Sequence, residues 1–184
     1  MGTLVSRNVP GKADVTSVDG NKYKIQQYKR LTNARYILNY LQNKGWSHNA
    51  IHGLFGNIET ESFFSPATVQ AVGGGYGLVQ WTPASKYKNA DSTIGWAAPS
   101  NPDDIDNQLN RIALEAAINY KQWNSIGSPT ISPTMTFTAY STSPKTVNEL
   151  ASYFYSCYEQ PNNGTLSVRQ TSARKWSMLV GILL

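Results

Sequence analysis

Residues 47–62 read SHNAIHGLFGNIETES, and this stretch decides the fold class. Serine at position 47 is a preferred N-cap residue, because its hydroxyl can accept a hydrogen bond from the first turn of a helix. Behind it, apolar side chains recur at i, i+3, i+4 and i+7, the spacing that places them on one helix face: Ile51, Leu54, Phe55 and Ile58. The stretch therefore predicts a buried helix that ends near Ser62.

Further helices are predicted on both sides of this stretch. Each combines apolar periodicity with a residue type that starts or stops a helix. The predicted helices run from a cap at Thr32 to a stop at Gly45, from Pro102 to Trp123, from Ser143 through Phe154, and from Val168 to Leu179.

One segment has the composition of strands. Residues 68–82, TVQAVGGGYGLVQWT, hold two short β-branched and aromatic runs around a glycine cluster, which predicts a small β-hairpin or sheet. The predicted fold class is α+β and predominantly helical. Residues 1–28 are polar and aperiodic, so we expect an N-terminal arm there and one domain over residues 29–184.

Composition narrows the class of protein. The 184 residues are 40% hydrophobic, enough for one core, and the formal charge of +5 favours an anionic partner. One cysteine cannot form an intrachain disulfide. The first twenty residues lack the apolar stretch of a signal peptide, and no segment approaches a membrane span, so a membrane partner is not expected.

Two carboxyl groups lie at the end of the predicted helix. Successive residues turn by about 100° on a helix, so Glu59 and Glu61 lie on opposite edges of the apolar stripe. Partial burial and the negative helix end would disfavour an ionised Glu61 and keep it available as a general acid. Two solvated glutamates at a helix end are the alternative, and helix geometry alone barely prefers Glu61 to Glu59.

Other chemistries fit the sequence poorly. His48 and His52 have the spacing of helical metal ligands, but Asn49 replaces the glutamate of a zincin motif, so we expect no metal. The glycine cluster lacks the Gly-Lys-Ser/Thr of a phosphate loop. Basic residues are spread along the chain and do not form one stripe. As a binding partner, this distribution favours an anionic cell-wall polymer over nucleic acid. Cys157 is expected to be a packed thiol with a raised pKa.

A known signature covers the candidate acid. Glu61-Ser62, a glycine-rich turn and then GLVQ at 77–80 resemble the active-site signature of lytic transglycosylases and goose-type lysozymes. Over most of the chain the sequence resembles the phage tail lysozyme domain, in these segments: NARYILNYLQNKGWSHNAIHGLFGNIETES (33–62), GGYGLVQWTPASKY (74–87), IDNQLNRIALE (105–115), TFTAYSTSPKTVNELA (136–151) and SCYEQP (156–161).

The resemblance implies a lysozyme-like fold and peptidoglycan as substrate. It implies a cleft between the helix ending at Glu61 and a hairpin ending at Gln80, Glu61 as catalytic acid, no cofactor, and a place at the tail tip of a virion, with other tail proteins as further partners. Side-chain chemistry adds substrate contacts, hydrogen bonds from Ser62 and Gln80 and flat ring faces for sugars. The predicted substrate-binding residues are Ser62, Tyr76, Gly77, Gln80, Trp81, Tyr158 and Glu159.

Several alternatives stay open at this stage. Trp81 also fits a core aromatic, Gln80 a hairpin-stabilising side chain, and Glu159 an ion pair with Arg169 or Arg174. Most glycosidases use two carboxyl groups, and none of Glu59, Glu159 and Asp91 is a compelling second one. The sequence therefore does not separate hydrolysis from transglycosylation, and a non-catalytic wall-binding or tail-structural module is a further alternative.

Overall fold

The computed structural model describes residues 20–71, 73–120, 123, 135–160 and 165–183, and its side-chain detail lies within residues 26–179. The fold is predominantly helical. In chain order the elements are α1 (Gly20–Asn43), α2 (His48–Ser62), α3 (Ser85–Lys88), a 3₁₀ turn (Ser92–Ile94), α4 (Ile105–Ala117), α5 (Phe137–Ser141), α6 (Val147–Phe154), a π-helical turn (Tyr155–Glu159) and α7 (Leu166–Leu183).

The chain forms two compact units. The first contains residues 61–111 and the described residues up to 39, and the second contains residues 40–60 and the described residues from 112 onward. Helices α1, α2 and α4 each contribute residues to both units. Of the predicted arm, residues 1–28, the first 19 lie outside the described residues, and residues 20–28 are part of α1.

Helix α2 follows its prediction closely. The backbone N–H of Ala50 donates to Ser47 Oγ at 3.1 Å, which is the predicted N-cap. The helix ends at Ser62. All four side chains of the predicted apolar stripe are 0% exposed, so burial of this face holds the helix in place: Ile51, Leu54, Phe55 and Ile58.

Several helix boundaries differ from the prediction. Helix α4 begins at Ile105 and not at Pro102, and α7 (Leu166–Leu183) extends past the predicted Val168–Leu179 at both ends. Helix α6 begins at Val147 and not at Ser143, because Thr146 and Glu149 form a capping box there.

Helix α1 begins at Gly20, and Thr32 lies inside it, where its hydroxyl donates to the Tyr28 carbonyl at 2.9 Å. A threonine bonded one turn back belongs to a helix interior and is no cap. Helix α4 ends at Ala117 because Asn119 adopts the left-handed conformation, with φ of 49°.

The predicted β-hairpin or sheet is wrong. The described residues of 66–83 form only isolated antiparallel bridges, Val69 with Tyr76 and Tyr76 with Trp81, and no strand occurs anywhere in the described part of the chain. Left-handed backbone interrupts the extended conformation between these pairs, at Gly73, Gly74, Gly77 and Gln80. The segment is therefore a compact loop.

Aromatic rings form the core of the first unit. Tyr87 is 0% exposed and stacks with Trp81, their ring centroids 4.6 Å apart. Tyr76 stacks against Tyr87 at 6.1 Å, and the Lys88 ammonium lies 3.6 Å from the Tyr76 centroid. The stack joins the loop 66–83 to α3.

A second aromatic cluster fills the second unit. Phe137 stacks on Trp123 at 4.6 Å, and Phe154 stacks on Tyr158 at the same distance. The buried Tyr140 hydroxyl donates to the Ala50 carbonyl of α2 at 2.9 Å. The Tyr140 hydrogen bond ties α5 to α2, and the ring stacks pack Trp123 on α5 and α6 on the π-helical turn.

The buried thiol of Cys157 gives a simple solution test of this cluster. Cys157 is 0% exposed, and burial raises its pKa to about 11. Only the thiolate reacts with thiol reagents. We expect Cys157 in the folded protein to resist an aromatic disulfide reagent at pH 8 and to react completely in denaturant. Equal labelling rates in both conditions would contradict this burial.

Burial of His52 predicts a pH-dependent stability. His52 is 5% exposed, and burial, followed by the nearby His48, lowers its pKa from 6.5 to about 4. Between these values the unfolded chain binds more protons, so the free energy of unfolding falls by roughly 2–3 kcal/mol as the pH drops from 6.5 to 4. Urea unfolding across this range measures the slope. His52→Leu should flatten it, and an unchanged slope would assign it to other groups.

Candidate active site

The candidate acid lies at the end of α2. Glu61 is half-buried in the last turn of the helix, and Ser62 behind it is 0% exposed. The Ser62 hydroxyl donates to the Leu78 carbonyl at 2.9 Å. This bond ties the turn that carries Glu61 to the loop of residues 73–80, so the two halves of the predicted signature meet within the first unit.

A strained turn follows the helix. Phe63 and Phe64 both have left-handed backbones, with φ of 51° and 63°, which is unfavourable for aromatic residues. Helix α1 contacts both residues of this turn. Buried Asn33 donates from Nδ2 to the Phe64 carbonyl at 2.9 Å, and the Arg30 guanidinium lies 5.1 Å from the Phe63 ring centroid. The exit of the chain from Glu61 is thus fixed by α1.

Close contact with a helix dictates the glycine at position 77. Gly77 has φ of +81°, and a Cβ atom there would lie 2.6 Å from Gln108 Oε1. Its backbone N–H donates to the Thr68 carbonyl at 2.8 Å. Both the conformation and the space therefore require glycine.

Gln80 stabilises the loop through its own side chain. Its Nε2 donates to the carbonyls of Thr68, at 3.1 Å, and Gly77, at 2.8 Å. The residue is 8% exposed and its backbone is left-handed, with φ of 48°. The alternative prediction for Gln80 is a side chain that stabilises a hairpin. These contacts do stabilise the local backbone, but that backbone forms a loop and not a hairpin. Binding of sugar by Gln80 stays a prediction.

The rings of Tyr76 and Trp81 are covered by protein. They are 2% and 3% exposed. The Tyr76 hydroxyl donates to Asp103, and burial, followed by this hydrogen bond, raises the Tyr76 pKa. The Trp81 indole Nε1 is buried and has no hydrogen-bond partner within the described part of the chain. Stacking of a sugar on either ring stays a prediction.

Tyr158 and Glu159 belong to the second unit. Tyr158 is 2% exposed, and its hydroxyl donates to Glu115 Oε2 at 2.6 Å. Glu159 is half-buried in the π-helical turn. Their contacts with substrate stay predictions. Arg169 and Arg174 are the predicted alternative partners of Glu159. Arg169 donates to Asn57 at 3.0 Å, and Arg174 donates to Thr171 at 3.2 Å. An ion pair of either arginine with Glu159 stays a prediction.

Among other candidate acids, Asp91 has a structural role. Its Oδ1 accepts from the Thr93 backbone N–H at 3.1 Å, which caps the 3₁₀ turn, and its Oδ2 lies 4.0 Å from Arg111 Nη2. Within the described residues, no three histidine, cysteine or acidic side chains form a group that could hold a metal ion. In that same part, no helix is long and apolar enough to cross a bilayer.

Sequence reasoning missed Gln108. Its side chain is 0% exposed and bonds three backbone groups: Oε1 accepts from Leu78 N–H at 2.8 Å, and Nε2 donates to the carbonyls of Pro66 at 2.7 Å and Pro102 at 2.9 Å. A signal was present, because Gln108 occupies position i+3 between the apolar residues Ile105 and Leu109. A glutamine on the buried face of a helix needs partners.

Comparison with known proteins identifies the family of the chain. The family model described as phage tail lysozyme matches residues 32–179, and the chain belongs to that family. Morphogenesis protein 1 of Bacillus phage B103 is 42% identical over 151 residues, which cover 78% of this chain. The chain corresponds to 38% of the length of that relative.

Proposed function

We propose that the chain is a muramidase that cleaves the β-1,4 bond between N-acetylmuramic acid and N-acetylglucosamine in peptidoglycan. The observation that carries the proposal is the Ser62–Leu78 hydrogen bond of 2.9 Å, which joins the helix turn of Glu61 to the glycine-rich loop. Membership of the phage tail lysozyme family supports the choice of substrate.

In the proposed reaction Glu61 donates a proton to the glycosidic oxygen. That oxygen is a poor leaving group, and protonation as the bond breaks lowers the barrier. Half-burial suits this role, because the carboxyl group needs both contact with substrate and partial exclusion of water. The backbone of the loop 73–80 would lie against the glycan.

Two reactions, hydrolysis and transglycosylation, are compatible with Glu61 as the acid. Water attacking the muramic acid C1 gives a reducing end, whereas attack by the muramoyl 6-hydroxyl gives a 1,6-anhydro end. Digestion of purified peptidoglycan in ¹⁸O-labelled water, followed by mass spectrometry, separates them. We expect labelled reducing N-acetylmuramic acid ends. Unlabelled anhydro ends would make the protein a lytic transglycosylase, and labelled N-acetylglucosamine ends would overturn the bond assignment.

A non-catalytic wall-binding or tail-structural module is the alternative from another class. It would bind peptidoglycan without creating new ends. The name of the B103 relative, Morphogenesis protein 1, is the observation that favours a structural role in the virion. Sedimentation with insoluble wall, in the absence of any new ends across several wall types, would move the assignment to this class.

We also propose that the protein belongs to a virion and acts on the host cell wall, with other tail proteins as neighbours. The family and the phage relative support this location. Immunogold labelling of virions with an antibody against the chain tests it. Label at the tail is expected, and purified virions without the protein would contradict it.

A further inference from the structure

We infer that Gln108 is a positioning residue of the candidate site, an inference that rests on the proposed function. Gln108 lies on α4 and is 0% exposed. Its hydrogen bonds go to three backbone groups of the first unit. Its effect would pass through the loop of residues 73–80, which is bonded to the helix turn that carries Glu61.

The Leu78 peptide is held from two directions. Its N–H donates to Gln108 Oε1 at 2.8 Å, and its carbonyl accepts from the Ser62 hydroxyl at 2.9 Å. Ser62 adjoins the proposed acid. One residue of the loop is thus fixed both to α4 and to the helix turn that carries Glu61.

The same side chain bonds two further backbone groups, one at the start of the loop 66–83 and one just before α4. Its Nε2 donates to the carbonyls of Pro66 and Pro102, at 2.7 and 2.9 Å, so one amide uses both donors and its acceptor on three backbone groups. The glycine at position 77 leaves room for this amide, because a methyl group there would lie 2.6 Å from Oε1. The site is therefore built around Gln108.

Two substitutions separate positioning from general stability. Gln108→Met keeps the side-chain length and removes all three hydrogen bonds. Gln108→Glu keeps an acceptor for Leu78, and burial favours its protonated form, which can return one donor. Tyr140→Phe is the control, because it removes a buried hydrogen bond of 2.9 Å in the second unit. Kinetics on soluble glycan strands are measured below all melting temperatures.

We expect Gln108→Met to lower kcat about 10- to 100-fold with little change in KM, because a displaced loop misplaces the bond relative to the acid. Gln108→Glu should keep more activity than Gln108→Met, and its kcat relative to wild type should rise as the pH falls. The control should lose melting temperature and keep kcat. If neither variant folds, Gln108→Asn takes their place, since its shorter amide keeps the polar groups but cannot reach all three backbone partners.

The possible failures are distinguishable. If wild type creates no new glycan ends, the proposed function fails and the inference fails with it. If wild type is active and Glu61→Gln is not, while the Gln108 variants match Tyr140→Phe in kcat at equal loss of melting temperature, the inference alone is overturned.

Discussion

Replacing Glu61 by glutamine is expected to lower the rate of peptidoglycan cleavage about 10²- to 10⁴-fold, the usual contribution of a positioned general acid. Glutamine keeps the shape of the side chain and cannot donate the proton that the leaving oxygen needs. Binding of glycan should change little, because the loss falls on the transition state. Turbidity of a wall suspension measures the rate, and sedimentation with insoluble wall measures binding.

Glu59→Gln is the matched control for this experiment. Glu59 is half-buried on the same helix and lies two residues earlier, so it points about 160° away from Glu61. We expect near-normal turnover in this variant. If Glu59→Gln lost as much turnover as Glu61→Gln, both losses would be attributed to a disturbed helix end and not to a missing proton donor. Undiminished lysis by Glu61→Gln would remove Glu61 from the mechanism.

The largest stability effect is expected from Gly56→Ala. In an open helix this change would stabilise by about 1 kcal/mol, because alanine is the better helix former. Here the added methyl group would lie 2.2 Å from the Arg169 carbonyl oxygen and 2.9 Å from Ala173 Cβ, both on α7. We expect a loss of about 3 kcal/mol, or roughly 6–12 °C in melting temperature.

Gly45→Ala separates steric overlap from backbone preference. A Cβ atom at position 45 meets nothing within 4 Å, and only its φ of +84° opposes alanine. The expected cost is about 1 kcal/mol. Calorimetry of both variants is the measurement. If Gly56→Ala melted at or above the wild-type temperature, α2 and α7 would not approach as closely as the structure describes.

Local patterns account for the parts of the fold that sequence predicted. The Ser47 cap and the apolar stripe of α2 act within one helix, so spacing alone identifies them. Thr32 misled because a threonine that bonds back to Tyr28 has the same sequence appearance as a cap. No residue near position 32 signals which of the two applies.

The loop 66–83 shows why the rest was not predictable. Its apolar runs have strand composition, but Gln108 bonds Leu78 from 30 residues away and Pro66 from 42 residues away. Such distant partners compete with a strand ladder and leave no mark on the local sequence. Ser62 and Gln80 illustrate the same limit at the site. Residue type identified them as polar groups of the signature, yet both donate to backbone carbonyls of the loop.

The most direct measurement of the central claim compares two leaving groups with Glu61→Gln. One substrate is a natural glycan strand, and the other is a GlcNAc–MurNAc disaccharide with a dinitrophenyl group on the muramic acid C1. A dinitrophenolate leaves without a proton, so it does not need a general acid. We predict a loss of at least 10²-fold on the glycan and only a small loss on the activated substrate. Equal losses on both substrates would contradict proton donation by Glu61.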